Sequence, residues 1–597
     1  MQKYILGAFV LILIVYSCAN PGYPTGGPKD ETPPVIKKSV PVNGQMNYKK
    51  KEVMIEFDEI IKLNEVNQKL VVSPPLKERP KIESRAQKLF INFEEELQEN
   101  TTYTLDFADA IEDNNEGNPI ESFVFSFSTG EVVDSFAIMG NLWDSFDLSP
   151  IHGALILAHK NLNDTAFTHD VPVRLGKSDE EGHFAIRNLS PGEYRIYAIE
   201  DANRNYMFDQ PGEAIAWFDT IVSPSMKYVA MPDTLENDSV VFKDELVHTP
   251  NDLKLFMFEE KSKQQYFISE ERKDSNIVSF MFNLPVENFS VEPINTNYKD
   301  NWAIFEPSIN NDTVKIWLTD SVLYKNDTLD MAFSYLGLDT LQNPIQIQDT
   351  LTLYYFAPPQ KESKRKKKKG EPVAAKTLKM EKSSSNVDVY ESFNFVMPTP
   401  VKQIDWSRVK LFEMVDTLMN EIEYKHYQDS IHIRRYSINT KTKWTPGGQY
   451  LLTVDSAAIN DVYNLYCDSI GKQFSVKSLD SYGTMLINMI NPGKNWLVQL
   501  WGKGDEPIAQ KYVPESGKFG FQYINAGSYE LKLIIDRNRN GKWDTGEYST
   551  KQQPEQVYFY PGKIDLRENW EKQVEWDLRD FDIYDYVSKN RKAKKRE

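Results

Sequence analysis

Near the C-terminus the sequence reads "DRNRNGKWDTGE", from Asp536 to Glu547. With Asp536 as position 1, Asn538 falls at 3, Asn540 at 5, Lys542 at 7, Asp544 at 9 and Glu547 at 12. Gly541 stands at 6. This is the ligand spacing of an EF-hand-type calcium loop. Calcium collects oxygen ligands around one point, and alternate side chains of a tightly curling loop converge there. Position 7 contributes its backbone carbonyl, and a distal Glu closes the shell. Asn at 3 and 5 keeps the charge low, which suits the millimolar calcium of extracellular fluid. The competing reading is a turn whose Asn and Asp side chains hydrogen-bond their own backbone.

The loop has a sibling. "GHFAIRNLSPGEYRIYAIED" (182–201) aligns without a gap to "GKFGFQYINAGSYELKLIID" (517–536). The sequence after it, "DANRNYMFDQPGE", keeps Asp201, Asn203, Asn205 and Asp209, with Glu213 one residue late and Tyr206 in place of the glycine. A tyrosine in a left-handed backbone conformation is costly. The expectation is therefore a structural calcium site in the second copy and a degenerate one in the first.

The elements that position these loops are short strands. "EVMIEFDE" (52–59), "KLFINFEE" (88–95), "TYTLDFAD" (102–109) and "SFVFSFST" (122–129) alternate apolar and polar residues. A period of two marks a strand with one buried face. A second recurrent unit links "NTTYTLDFADAIEDNNEGNPIESFVFSFSTG" (100–130), "NDTLDMAFSYLGLDTLQNPIQIQDTLTLYYF" (326–356) and "GGQYLLTVDSAAINDVYNLYCDSIGKQFSVKS" (447–478). The acids of "EDNNEGN" (112–118) are unpatterned and read as a turn. The fold class is all-β, a string of β-sandwiches. The predicted order is a signal peptide (1–17), a tether (18–32) and sandwiches at 33–131, 132–240 and 241–357. A basic linker (358–378), sandwiches at 379–480 and 481–580, and a basic tail (581–597) follow. The run Lys364 to Lys369 and the tail are expected to stay solvated and unfolded, because like charges repel; anionic lipid or polysaccharide is the alternative role for the run.

A chain of 597 residues needs several cores, and 12% aromatics supply them. A formal net charge of −18 gives no general reason to bind nucleic acid. The N-terminal "YILGAFVLILIVYSC" is too short to span a bilayer and suits a signal-peptide core. The only cysteines are Cys18 and Cys467, so no disulfide framework is expected. The seven histidines fall in no zinc spacing, and no nucleophile elbow, P-loop or dinucleotide fingerprint occurs. A buried free thiol is expected for Cys467, and no enzyme is predicted.

Three resemblances follow from these residues. "VYSC" resembles a bacterial lipobox, which implies that Cys18 is lipidated, with palmitate among its acyl chains. "TGGPKDETPP", "VMIEFDEIIKL", "NTTYTLDFADAIEDNNEGNP" and "FVFSFSTG" resemble the bacterial Ig-like domain first described in surface-layer proteins. The "G-x-F … G-x-Y" hairpins resemble the carboxypeptidase-regulatory-like, or prealbumin-like, β-sandwich. The whole is similar to Gram-negative outer-membrane lipoproteins with Ig-like domains. That implies a cell-envelope scaffold held in the membrane by lipid, on the periplasmic or extracellular face, working with an outer-membrane protein in assembly or export. A surface glycan-binding or adhesion lipoprotein is the alternative, and an unrecognised hydrolase a third. The fold itself implies no reaction.

Overall fold

The computed structural model describes residues 30–210, 212–234, 240–339, 343–356, 377–416 and 418–594. The expected signal peptide, Cys18, most of the tether and the Lys364–Lys369 run lie outside them. The chain is nearly all β and divides into two compact units between Glu259 and Glu260.

In the first unit, strands Ile36–Val40, Glu52–Phe57, Lys88–Asn92 and Lys81–Arg85 form one antiparallel sheet in that order. Val71–Ser73, Thr102–Asp106 and Val124–Ser128 form the sheet across from it. Val53, Ile55, Phe57, Leu89 and Ile91 from one, and Tyr103, Leu105, Phe125 and Phe127 from the other, share one fully buried cluster. Alternation along each strand thus sends one face into a common core. At the turn "EDNNEGN", Asp113 accepts the backbone amides of Asn115, Glu116, Gly117 and Asn118 at 2.6–3.0 Å. Burial alone would push its carboxyl up, but these four donors outweigh it and bring the pKa down to about 2.

The two gapless repeats have one topology. In the first, Phe136–Asp144 lies between His183–Leu189 and the parallel strand Leu253–Met257. The opposing sheet runs Arg174–Lys177, Leu155–His159, Arg195–Ile199, Ile215–Trp217. In the second, Tyr482–Ile490 lies between Lys518–Asn525 and the parallel strand Glu571–Asp577. Opposite stand Pro507–Tyr512, Trp496–Trp501, Gly527–Ile535 and Val557–Phe559. Gly182 (φ 77°) and Gly517 (φ 70°) recur because a Cβ there would lie 2.4 and 2.3 Å from the carbonyls of Leu142 and Met489.

Two boundaries differ from expectation. Leu253, Leu255 and Met257 bury in the core of the first repeat rather than in the sandwich after it. Their partner strand lies more than a hundred residues back, a pairing that local pattern cannot show. The first repeat also carries a two-stranded ribbon, Ser225–Thr234 with Val240–Thr249. The basic tail is folded in its described part: Ile583–Lys594 is a helix. Asp582 caps its start by accepting the Tyr584 amide at 2.9 Å, and Asp585 pairs with Lys589 one turn on. Tyr586 stacks on Phe559 at 4.7 Å. Caps and packing outweigh the charge repulsion that the sequence emphasised.

The rest of the second unit holds cores at Val278–Leu353 and Leu378–Val476. Glu306, buried in the first of these sandwiches, accepts Trp317 Nε1 at 2.8 Å and pairs with Arg434 of the next at 3.1 Å. The Arg434 guanidinium also lies 5.1 Å from the Trp317 ring centre and bonds Glu381. Cys467 is free and buried.

Candidate functional site

Each repeat's hairpin ends in the Asp that opens its polar loop. Asp536 is fully buried after the strand Gly527–Ile535. Its Oδ1 accepts the Asn540 amide at 3.2 Å, and its Oδ2 accepts the Gly541 amide at 2.8 Å and the Tyr512 hydroxyl. Asp201 does the same, taking the amides of Arg204, Asn205 and Tyr206 at 2.6, 3.2 and 2.8 Å. Asn538 Oδ1 accepts the Asn540 amide at 3.0 Å, as Asn203 Oδ1 accepts Asn205. Asn540 Oδ1 accepts the Lys542 amide at 2.8 Å, as Asn205 Oδ1 accepts Met207. The amide nitrogens of Asn538 and Asn540 meet Asp544 Oδ2 at 2.7 and 2.6 Å. Those of Asn203 and Asn205 meet Asp209 at 2.9 and 2.7 Å. In both copies the Asp and Asn side chains thus bond the loop's own backbone, the pattern of the competing turn reading.

Glu547 does not close the loop. Its carboxylate turns to Lys263, Ser549 and Thr550. The acid behind Asp536 and Asp544 is Glu555, which accepts the amides of Arg537 at 2.6 Å and Asp544 at 3.1 Å. Glu213 holds the matching place in the first copy, accepting Ala202 at 3.1 Å and Asp209 at 3.4 Å. Glu213 and Glu555 are both buried. Glu547 satisfied the twelve-residue count but lies on the wrong side of a turn. Glu555 comes eleven residues after Asp544, and only its likeness in role to Glu213 singles it out.

Burial pushes the Glu555 carboxyl above the usual range, and the charges of Asp536 and Asp544 add to this against the pull of its two amide donors. At Asp544 burial acts in the same direction, but hydrogen bonds from Lys261 and Asn538 prevail and hold the carboxyl below the usual range. The Lys263 ammonium lowers Glu547. Lys261 takes Asp544 Oδ1 at 2.7 Å, which leaves Oδ2 for the loop interior. Beside them the Glu260 carboxylate accepts the Tyr548 amide. The chain entering the second unit is thus strapped across this loop.

Asp536, Asp544 and Glu555 supply carboxylate oxygens, the chemistry a hard divalent cation selects, while Asn538 and Asn540 turn their amide nitrogens to Asp544 and their oxygens to backbone amides. An Asn reverses oxygen and nitrogen by turning its amide, so both asparagines can present either atom. Tyr206 sits at φ 64° where Gly541 sits at φ 76°. The left-handed step that the sequence argued against is taken by the tyrosine. Trp543 donates its indole N–H to the Glu555 carbonyl at 2.8 Å. Among the described residues, the one group of three or more His, Cys, Asp or Glu side chains whose potential ligand atoms lie within 4.8 Å of one another is Asp179, Glu181 and His183, outside both loops. They are exposed, and Asp179 serves their own turn by accepting two of its amides.

Residues 30–129 match the bacterial Ig-like domain family. No curated protein matches the chain. Similar solved structures include the N-terminal part of the bacterial S-layer protein SbsC, at 10% identity and a TM-score of 0.17, covering 32% of this chain and 44% of that one. The major pilin subunit BcpA of Bacillus cereus is 11% identical at a TM-score of 0.12, covering 74% of this chain and 99% of that one. The BSP domain of a biofilm-associated protein is 8% identical at a TM-score of 0.12, with 92% and 99% covered. The chain thus spans less than half the length of the SbsC fragment. Among the described residues no helix is long and apolar enough to cross a membrane.

Proposed function

We propose that the chain is a non-catalytic, lipid-anchored scaffold of the bacterial outer membrane whose repeat domains are stiffened by calcium. The observation that carries this reading is the recurrence of one set of side chains, Asp536–Asn538–Asn540–Asp544–Glu555 and Asp201–Asn203–Asn205–Asp209–Glu213, after the same hairpin in two repeats. Calcium would tie the loop to the strand that precedes it, and a string of stiffened sandwiches on a tether suits reach and protein contact. The anchor would be lipid on Cys18, and the partner an outer-membrane protein of assembly or export. Purification from gentle detergent tests this: a stoichiometric membrane protein that stays bound supports it, and recovery of the chain alone sinks it. Mass spectrometry of the N-terminal peptide, with and without Cys18→Ala, tests the anchor. Calcium titration of the folded chain tests the metal: no rise in melting temperature would remove that part. Specific binding on a glycan array would favour the adhesion reading instead.

A further inference from the structure

In the first unit, the Ig-like domain and the first repeat enclose a cleft of about 600 Å³. Leu70, Leu76 and Leu155 line it together with Arg79, Lys177 and Arg204. Each cation comes from a different place: a loop of the Ig-like domain, a strand of the repeat, and the Asp201 loop. Arg79 and Lys177 donate to the carbonyls of Asn67 at 2.8 Å and Gln68 at 2.7 Å. Among the described residues, none of the three forms an ion pair.

Two acids, Glu200 and Asp201, line the cleft beside them, and among the described residues neither forms an ion pair with these cations. Asp201 spends its carboxylate on three loop amides. Burial lowers the Lys177 pKa, and the positive charges of Arg79 and Arg204 lower it further. Three cations against two acids leave the cleft net positive, in a chain of formal charge −18. The cleft is also fixed rather than incidental. Ser73 accepts the Leu175 amide at 2.9 Å, and Asn188 bonds Thr104 at 2.7 Å, across the same junction.

Tyr206 completes the lining. It is the residue that replaces glycine in the left-handed step, and both Arg79 and Arg204 act on its hydroxyl. The loop accepts backbone strain at the one position that brings an aromatic ring to the cleft, a pattern found at binding sites.

We infer that this cleft binds an organic phosphate: a doubly charged phosphate monoester gripped by Arg79, Lys177 and Arg204, with its apolar body against the leucines and Tyr206. Guanidinium forks suit a tetrahedral oxyanion, an ammonium adds a point charge, and three cations call for more than one negative charge. The volume fits a small ligand. The inference is independent of calcium.

The test is calorimetric titration of the whole folded chain with phenyl phosphate, inorganic phosphate and benzoate, alongside flotation with phosphatidylcholine vesicles with and without phosphatidic acid. Phenyl phosphate is expected to bind at least about tenfold more tightly than either smaller or singly charged probe, and to weaken with salt. Lys177→Met should weaken it about tenfold or more while Lys177→Arg retains it. Arg204→Gln, on an exposed loop, gives a second variant that does not disturb the junction. Vesicle binding lost with the same variants would identify a lipid headgroup as the source; binding of the soluble ester alone would identify a free metabolite. Benzoate binding as tightly as phenyl phosphate overturns the assignment. So does the absence of binding in both arms, or binding indifferent to Lys177→Met and Arg204→Gln.

Discussion

Tyr206 and Gly541 occupy the same step of two loops whose hydrogen bonds otherwise match almost one for one. The second loop takes the low-strain residue and is strapped by Lys261 and Lys263. The first takes the strained residue and faces a cleft. One supersecondary unit thus carries two specialisations, and the residue at a single left-handed position separates them.

The comparison breaks most readily at Asp536. Asp536→Ala leaves the Gly541 amide and the Tyr512 hydroxyl without their acceptor and the Asn540 amide with Asn538 alone, and should cost about 2–4 kcal/mol in denaturant unfolding of the second unit. Gly541→Tyr makes the second loop imitate the first. A loss of about 1–3 kcal/mol is expected by the same measurement. The reverse change, Tyr206→Gly, trades strain for lost burial and should stay within about 1 kcal/mol while weakening phenyl phosphate binding. If both exchanges prove neutral, the position does not distinguish the loops.

Affinity measurements sharpen the contrast further. Glu555→Gln should weaken calcium binding about tenfold and Glu547→Gln less than about twofold, read by calorimetry. Equal losses would restore the twelve-residue count over the observed geometry. Removing both lysines, as Lys261→Ala with Lys263→Ala, should tighten calcium only a few-fold, since exposed charges act weakly.

The smallest effect is on pH. In the proposed site calcium would take the Glu555 carboxylate, whose folded pKa is raised. The calcium-free fold therefore holds a proton there that the unfolded chain has released, and loses stability as pH rises through that window. The calcium-induced rise in melting temperature should accordingly be larger at pH 7 than at pH 5. A shift that is flat or inverted would exclude Glu555 as a ligand.

Much of this was readable in the residues. Alternation placed Glu52–Phe57, Lys88–Asn92, Thr102–Asp106 and Val124–Ser128, because a two-residue period has one structural solution beside a core. The repeat alignment paired the two loops, and the tendency of Asn and Asp to bond their own backbone matches the turns they form. Local spacing failed where the chain returns from a distance. Glu555 arrives after a turn, Leu253–Met257 pairs with a strand that opened the domain, and Lys261 lies far from Asp544 in sequence. The cleft was invisible for the same reason, since its three cations come from separate segments of two domains.

The Glu306–Arg434–Trp317 clasp joins two sandwiches whose covalent connection is the stretch between Tyr355 and Leu378. Tension on the ends of the chain therefore has two parallel routes between these domains, one through side chains and one through backbone. While the Arg434 contacts hold, the side-chain route shares that load. A protease cut anywhere in that stretch would likewise release no fragment while the clasp holds, so a nicked molecule would migrate as one species until denatured.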